Sequence, residues 1–152
     1  MEWTGLLNTA LGALIALGAS AFVEHRRWSR ESTQRANDDR RAVYVAFLDA
    51  TATASETLIN IARAHGDGDG EDVSVRAWTV LRDSSVLSRR LELALVADDR
   101  VLAEVGKLVA MLRAYRDVVS EGRYFDTGEF QHARTAFNEQ RDRLMRVMRE
   151  SL

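Results

Sequence analysis

Between Trp3 and Val23 the chain runs for 21 residues without a formally charged side chain, rich in Leu, Ala and Gly. At about 1.5 Å of rise per residue a helix of this length reaches roughly 30 Å, the thickness of a bilayer's hydrocarbon core. The run predicts a transmembrane helix over residues 1–24. A buried core helix of a soluble domain is the weaker alternative, because a small domain seldom hides so long an uncharged stretch. A cleavable signal peptide would use the small residues Ala19, Ser20 and Ala21, but the positive leading region is missing and the basic cluster behind them reads as a stop to translocation.

The flanks of the run predict a sidedness. Trp3 and Trp28 stand near its two ends, where indole rings favour the headgroup level. His25, Arg26, Arg27 and Arg30 follow it, whereas only Glu2 and the terminal amine precede it. Positive charge stays preferentially on the cytoplasmic side, so the remainder of the chain is expected in the cytoplasm with the amino terminus outside. Trp3, Arg26, Arg27, Trp28 and Arg30 are the expected membrane-interface residues.

Within the run, Gly5, Thr9, Gly12, Ala16 and Ala19 recur at alternating steps of four and three, with Ser20 beside the last. That spacing puts a flat seam on one helix face, and in lipid such seams let two backbones approach closely. The expectation is a homo-oligomer through this seam. Asn8, the one amide of the run, is either solvated near the outer interface or hydrogen-bonded between copies.

The rest of the 152-residue chain suffices for one modest domain. There is no Cys, which removes disulfides, thiolate metal sites and cysteine nucleophiles and agrees with a reducing compartment. No Pro interrupts a helix. Charges nearly balance at a formal net −2, so no broad basic field exists to hold nucleic acid. Lys107 is the only lysine against twenty arginines, a bias attributed to a GC-rich bacterial genome and not to function.

Residues 25–42 are almost wholly polar, and opposite charges stand at helical spacing: Arg27 with Glu31, Glu31 with Arg35, Arg35 with Asp38 or Asp39, and Asp38 with Arg41. This predicts a juxtamembrane helical stalk whose arginines can also meet anionic headgroups. Residues 43–152 then carry four amphipathic periods. The first is Val43, Tyr44, Phe47, Leu48, Thr51, Ala54, Leu58, Ile61 and Ala62, with a thin middle from Ala50 to Ser55. A second helix is expected over residues 73–96, burying Trp78, Leu81, Leu87, Leu91, Ala94 and Leu95. Asp98 or Asp99 is placed to cap a third, carrying Val101, Leu102, Val105, Leu108, Val109, Leu112, Tyr115 and Val119 and ending at Gly122. Thr127 is placed to cap a fourth, carrying Phe130, Ala133, Phe137, Leu144, Val147 and Met148. The fold class expected is all-α: a single N-terminal transmembrane helix continuing into a stalk and a cytoplasmic antiparallel four-helix bundle.

Chemistry-bearing motifs are sparse. The stretch His65, Gly66, Asp67, Gly68, Asp69, Gly70, Glu71, Asp72 invites a calcium reading, with Asp67, Asp69 and Glu71 in the first three ligand positions. It fails, because an EF-hand loop needs Gly where Asp72 stands and Glu where Trp78 stands. A solvated helix connector is expected instead, with Asp72 or its neighbours capping the next helix. Glu129 and His132 form one Glu-x-x-His element, but a di-metal bundle needs two, and Glu56, Glu92 and Glu104 have no histidine three residues on. Nucleophile elbows and phosphate-binding loops are absent from the sequence. Neither an enzyme, a metal nor a cofactor is expected.

Arg134, Arg141, Arg143, Arg146 and Arg149 make the last helix locally basic, interleaved with Glu139, Asp142 and Glu150. That pattern reads as a charged outer face, or as a docking surface for an acidic partner or anionic lipid. The sequence as a whole predicts a non-enzymatic single-pass protein of a bacterial inner membrane, serving as an oligomeric scaffold or adaptor through its bundle. The rival expectation is a membrane effector whose oligomerised spans open or disrupt the bilayer.

Overall fold

The computed structural model describes residues 3–64 and 70–152, with side chains for 34–64 and 73–152. Among the described residues there are five helices: α1 (Trp3–Ala64), α2 (Gly70–Asp83), α3 (Val86–Ala94), α4 (Asp99–Ser120) and α5 (Gly128–Glu150). The chain is all-helical, with no strand among the described residues. It divides into two compact units, Met1–Asp39 and Arg40–Leu152.

The second unit is a helical bundle around one core. On α1 the amphipathic period buries Tyr44, Phe47, Ala54, Leu58, Ile61 and Ala62, with Val43 and Leu48 partly covered. Its thin middle is buried as well: Ala50, Thr51 and Ser55 face the core. The Thr51 hydroxyl donates to the Leu48 carbonyl at 2.8 Å, so its burial leaves no orphan oxygen.

Each end of α4 has a physical cause. Asp98 accepts the Val101 N–H at 2.8 Å, satisfying one donor of the first turn. At the other end Gly122 takes φ 75°, which costs glycine little. The Arg123 N–H then reaches back to Val118 and the Gly122 N–H to Val119, closing the last turn in the Schellman pattern. Between these stops Val101, Val105, Leu108, Val109, Leu112, Tyr115 and Val119 are all buried. Thr127 caps α5 by accepting from Phe130 N–H at 3.4 Å.

Helix α4 packs against both α5 and α2. Near its start, the Gln140 amide of α5 donates to the Glu104 carboxylate at 2.7 Å. Near its end, Tyr115 meets Phe130 edge-on, ring centroids 5.2 Å apart. For α1 and α5, Tyr44 meets Ser151 at 3.1 Å, and Arg40 donates to the Ser151 carbonyl at 3.0 Å. At the far end of α1, Arg63 lies over the ring of Phe125, just ahead of α5, at 4.4 Å.

The stretch expected as one helix over residues 73–96 is two. Ser85 sits at φ 60°, ψ 15° between α2 and α3, without a side-chain cap bond. Its neighbour Ser84 turns its hydroxyl back onto the Val80 carbonyl at 2.6 Å, the local competition that makes serine a poor helix interior. The break rephases the faces. Of the six expected core positions only Leu81 is buried, and Val73, Ala77, Val80, Val86 and Leu93 supply the rest. Leu87, Leu91, Ala94 and Leu95 are exposed, a correction that follows from the break, and Trp78, ahead of it, is exposed because Val73, Ala77, Val80 and Leu81 already form the buried face of α2. Helix α2 also starts at Gly70, inside the stretch expected as connector.

Candidate functional site

Among the described residues no helix is long and apolar enough to cross a membrane. The expected span lies outside the side chains described. So do the seam residues Gly5, Thr9, Gly12, Ala16 and Ala19, and the interface residues Trp3, Arg26, Arg27, Trp28 and Arg30. His65, Asp67 and Asp69 of the acidic glycine stretch also fall outside the described residues.

Glu129 and His132 both stand exposed on the first turns of α5. They line a cleft of about 760 Å³ between α4 and α5, together with Met111, Ala114 and Val118. Glu129 faces Arg123 at 3.9 Å, so its charge has a neighbour of opposite sign. Among the described residues no group of three or more His, Cys, Asp or Glu is gathered to hold a metal.

Among the described residues two titrating groups depart from their ordinary behaviour, and both belong to the packing. Hydrogen bonds from Lys107 at 2.6 Å and from Gln140 hold the pKa of Glu104 below the ordinary carboxylate value, because each favours the carboxylate over the acid. Burial pushes Tyr115 upward, since a phenolate has no place among Phe130 and Phe137. Its hydroxyl has no hydrogen-bond partner among the described residues.

The surface chemistry of the bundle lies elsewhere. Helix α3 buries Val86 and Leu93, yet Leu87, Leu91 and Leu95 follow one another at steps of four on its outward side. Leu91 is 71% exposed and Leu95 85%. A helix apolar on both its inner and outer faces is ordinarily covered on both. Trp78, on α2, is half covered by the Arg116 guanidinium at 3.8 Å.

A second apolar surface lies between α1 and α5. Tyr44, Val45 and Leu48 from α1 and Met145, Met148 and Leu152 from the end of the chain line a groove of about 390 Å³. Arg41 and Arg149, both exposed, stand in the same lining, which holds no carboxylate, and exposed Asp49 and Asp142 flank it one turn from Val45 and Met145. Val45 is 59% exposed and Met145 36%, so the two walls present apolar surface to solvent. Sequence reasoning marked Arg149 as part of a basic face and Met148 as core, but missed Val45, Met145 and the groove itself. The available signal was Val45, an apolar residue off the helical period and one turn after Arg41.

The order along α5 explains the charge. Arg134 turns toward the ring of Phe125 at 5.8 Å, and Arg141 has Asp142 at 3.6 Å. Arg143, Arg146 and Arg149 are exposed. The cationic end of the helix is therefore its last two turns, beside the groove.

Comparison with known proteins supplies no analogy: no family model, no curated protein and no solved structure matches the chain.

Proposed function

We propose that the protein is a non-enzymatic, single-pass membrane scaffold. Residues 1–24 span the inner membrane of a bacterium with the amino terminus outside, residues 25–42 form a stalk, and residues 43–152 form a cytoplasmic antiparallel four-helix bundle that binds protein partners. The single observation that carries the reading is the uncharged run from Trp3 to Val23 with Arg26, Arg27 and Arg30 directly behind it. Contacts between opposite ends of α1 and α5, and of α4 and α5, support an antiparallel course. The outward leucines of α3 and the α1–α5 groove support a role in contact and not in catalysis.

The mechanism is concentration. Anchoring confines the bundle to a surface, and oligomerisation through the small-residue seam presents several copies together, so that weak individual contacts add up to stable attachment. No side chain need react.

Alkaline carbonate extraction of membranes tests the anchor. The intact chain is expected to stay in the pellet and a variant lacking residues 1–24 to be released. An intact chain that is freely soluble without detergent overturns the reading. Mass in detergent then tests assembly, where Gly12→Leu is expected to dissociate the oligomer. Dye leakage from liposomes separates the scaffold from the pore-forming alternative, since a scaffold releases no dye through its span.

A further inference from the structure

We infer that the groove between α1 and α5 receives an amphipathic helix of another protein, one whose apolar face is bordered by Asp and Glu. The inference rests on the scaffold reading and adds to it the place and the chemistry of the partner.

Shape comes first. The groove is a cleft between two helices, about 390 Å³, lined by Tyr44, Val45 and Leu48 on one wall and Met145, Met148 and Leu152 on the other. Met145 and Met148 stand one turn apart on α5 and Leu152 follows past the helix end at Glu150, so this wall offers a guest at least one turn of contact. Helix-in-groove recognition uses an apolar channel of this kind, read by anchors one turn apart. A bilayer surface, flat on this scale, contacts what protrudes and leaves a cleft unfilled. Met145, 36% exposed, adds adaptability, because an unbranched thioether chain can repack around different guests. The floor is held in advance: the Tyr44 hydroxyl is bonded to Ser151, so its ring does not have to be ordered on binding.

Charge selects among helices. Arg41 and Arg149 stand exposed in the lining, with exposed Arg146 one turn before the latter. At that end a guest's carboxylates meet opposite charge and its basic side chains meet repulsion, while exposed Asp49 and Asp142 stand one turn further along the two walls. This argues against a second copy as the occupant. Among the described residues α3 exposes Leu87 and Leu91, and Arg89 and Arg90 lie beside these leucines, with Glu92 already engaged by Arg89 at 2.7 Å. Docked in the groove, α3 would bring arginine to arginine.

The test uses the full chain in phosphatidylcholine nanodiscs at one copy per disc. The probe is a fluorescent synthetic helix of Leu and Glu at amphipathic spacing, and its control is the same helix with Lys in place of Glu. The acidic probe is expected to bind and the basic one not. Arg41→Glu with Arg149→Glu should weaken the acidic probe by roughly tenfold or more and admit the basic one. Arg41→Lys with Arg149→Lys should retain binding, and Arg90→Glu on α3 should leave it unchanged, which separates the groove from a general charge effect. Helical circular dichroism confirms that each variant is folded. Equal binding of both probes, or indifference to the double reversal, overturns the inference. Loss of the acidic probe on moving to phosphatidylglycerol discs assigns the groove to anionic lipid and overturns it too. Loss at two copies per disc assigns it to a second copy, with the same result. A chain that refuses the discs defeats the membrane reading alone, because probe binding in free solution still reports on the groove.

Discussion

Helix α4 and the α2–α3 pair are written in the same alphabet and came out differently. Every apolar position that the period assigns to α4 is buried, apart from Leu102, which is partly covered. Of the six assigned to residues 73–96, only Leu81 is. Hydrophobic content does not separate them; punctuation does. Asp98 and Gly122 fix where α4 begins and ends, and Gly106, the one glycine between them, leaves the helix unbroken. In the other stretch Ser84 and Ser85 sit mid-run, and one left-handed residue turns everything after it onto a new face. A helical period therefore identifies a buried face only within one uninterrupted helix.

The largest test of that contrast is a pair of identical substitutions. Leu112→Ala, at a fully buried position of α4, should cost about 2–5 kcal/mol, and Leu91→Ala on α3 should stay within roughly 0.5 kcal/mol. Urea unfolding of the intact chain in detergent, followed by helical circular dichroism, measures both. Comparable losses would mean that α3 is covered in the free protein and that the contrast is false.

Removing the punctuation of α4 should have a smaller effect. Asp98→Ala deletes the bond to Val101 N–H and is expected to destabilise by about 1 kcal/mol, read as a lower urea midpoint with an unchanged slope. At the junction of α2 and α3 the sign reverses. Ser85→Gly removes a side chain from a left-handed backbone and should stabilise by about 0.5 kcal/mol, the strain relieved being partly offset by a more flexible unfolded chain. A loss on Ser85→Gly would show that the serine has a contact that outweighs its backbone.

The smallest expected effect appears only in acid. Glu104 holds its carboxylate below the ordinary range through Lys107 and Gln140. A group with a lowered folded value contributes stability that is present above its unfolded value and lost as pH falls through the folded one. Between about pH 7 and about pH 3 the intact protein should therefore lose slightly more stability than Glu104→Gln. Parallel losses would leave the Glu104–Gln140 bridge without an energetic role.

Much of the fold was legible because long helices without Pro advertise their buried faces, as α1 and α5 do with Phe47, Leu58, Phe137 and Leu144. The capping residues Asp98 and Thr127 and the stop at Gly122 were legible for the same local reason. The α1–α5 groove was not. Its walls come from Val45 and Met145, a hundred residues apart, and no local pattern states that two helices will leave a channel between them. Arg149 signalled a basic face, but only tertiary packing reveals that the apolar side chains it borders are open to a guest.

One feature of the bundle bears on how it is made. Arg40 and Tyr44 both bond to Ser151, 111 and 107 positions later. The opening turns of the bundle must therefore wait, already synthesised, until nearly the whole chain has left the ribosome before this tie can form. Throughout that interval Tyr44 lacks its partner, so the closing of α1 onto the end of α5 comes last, after every helix between them has been made.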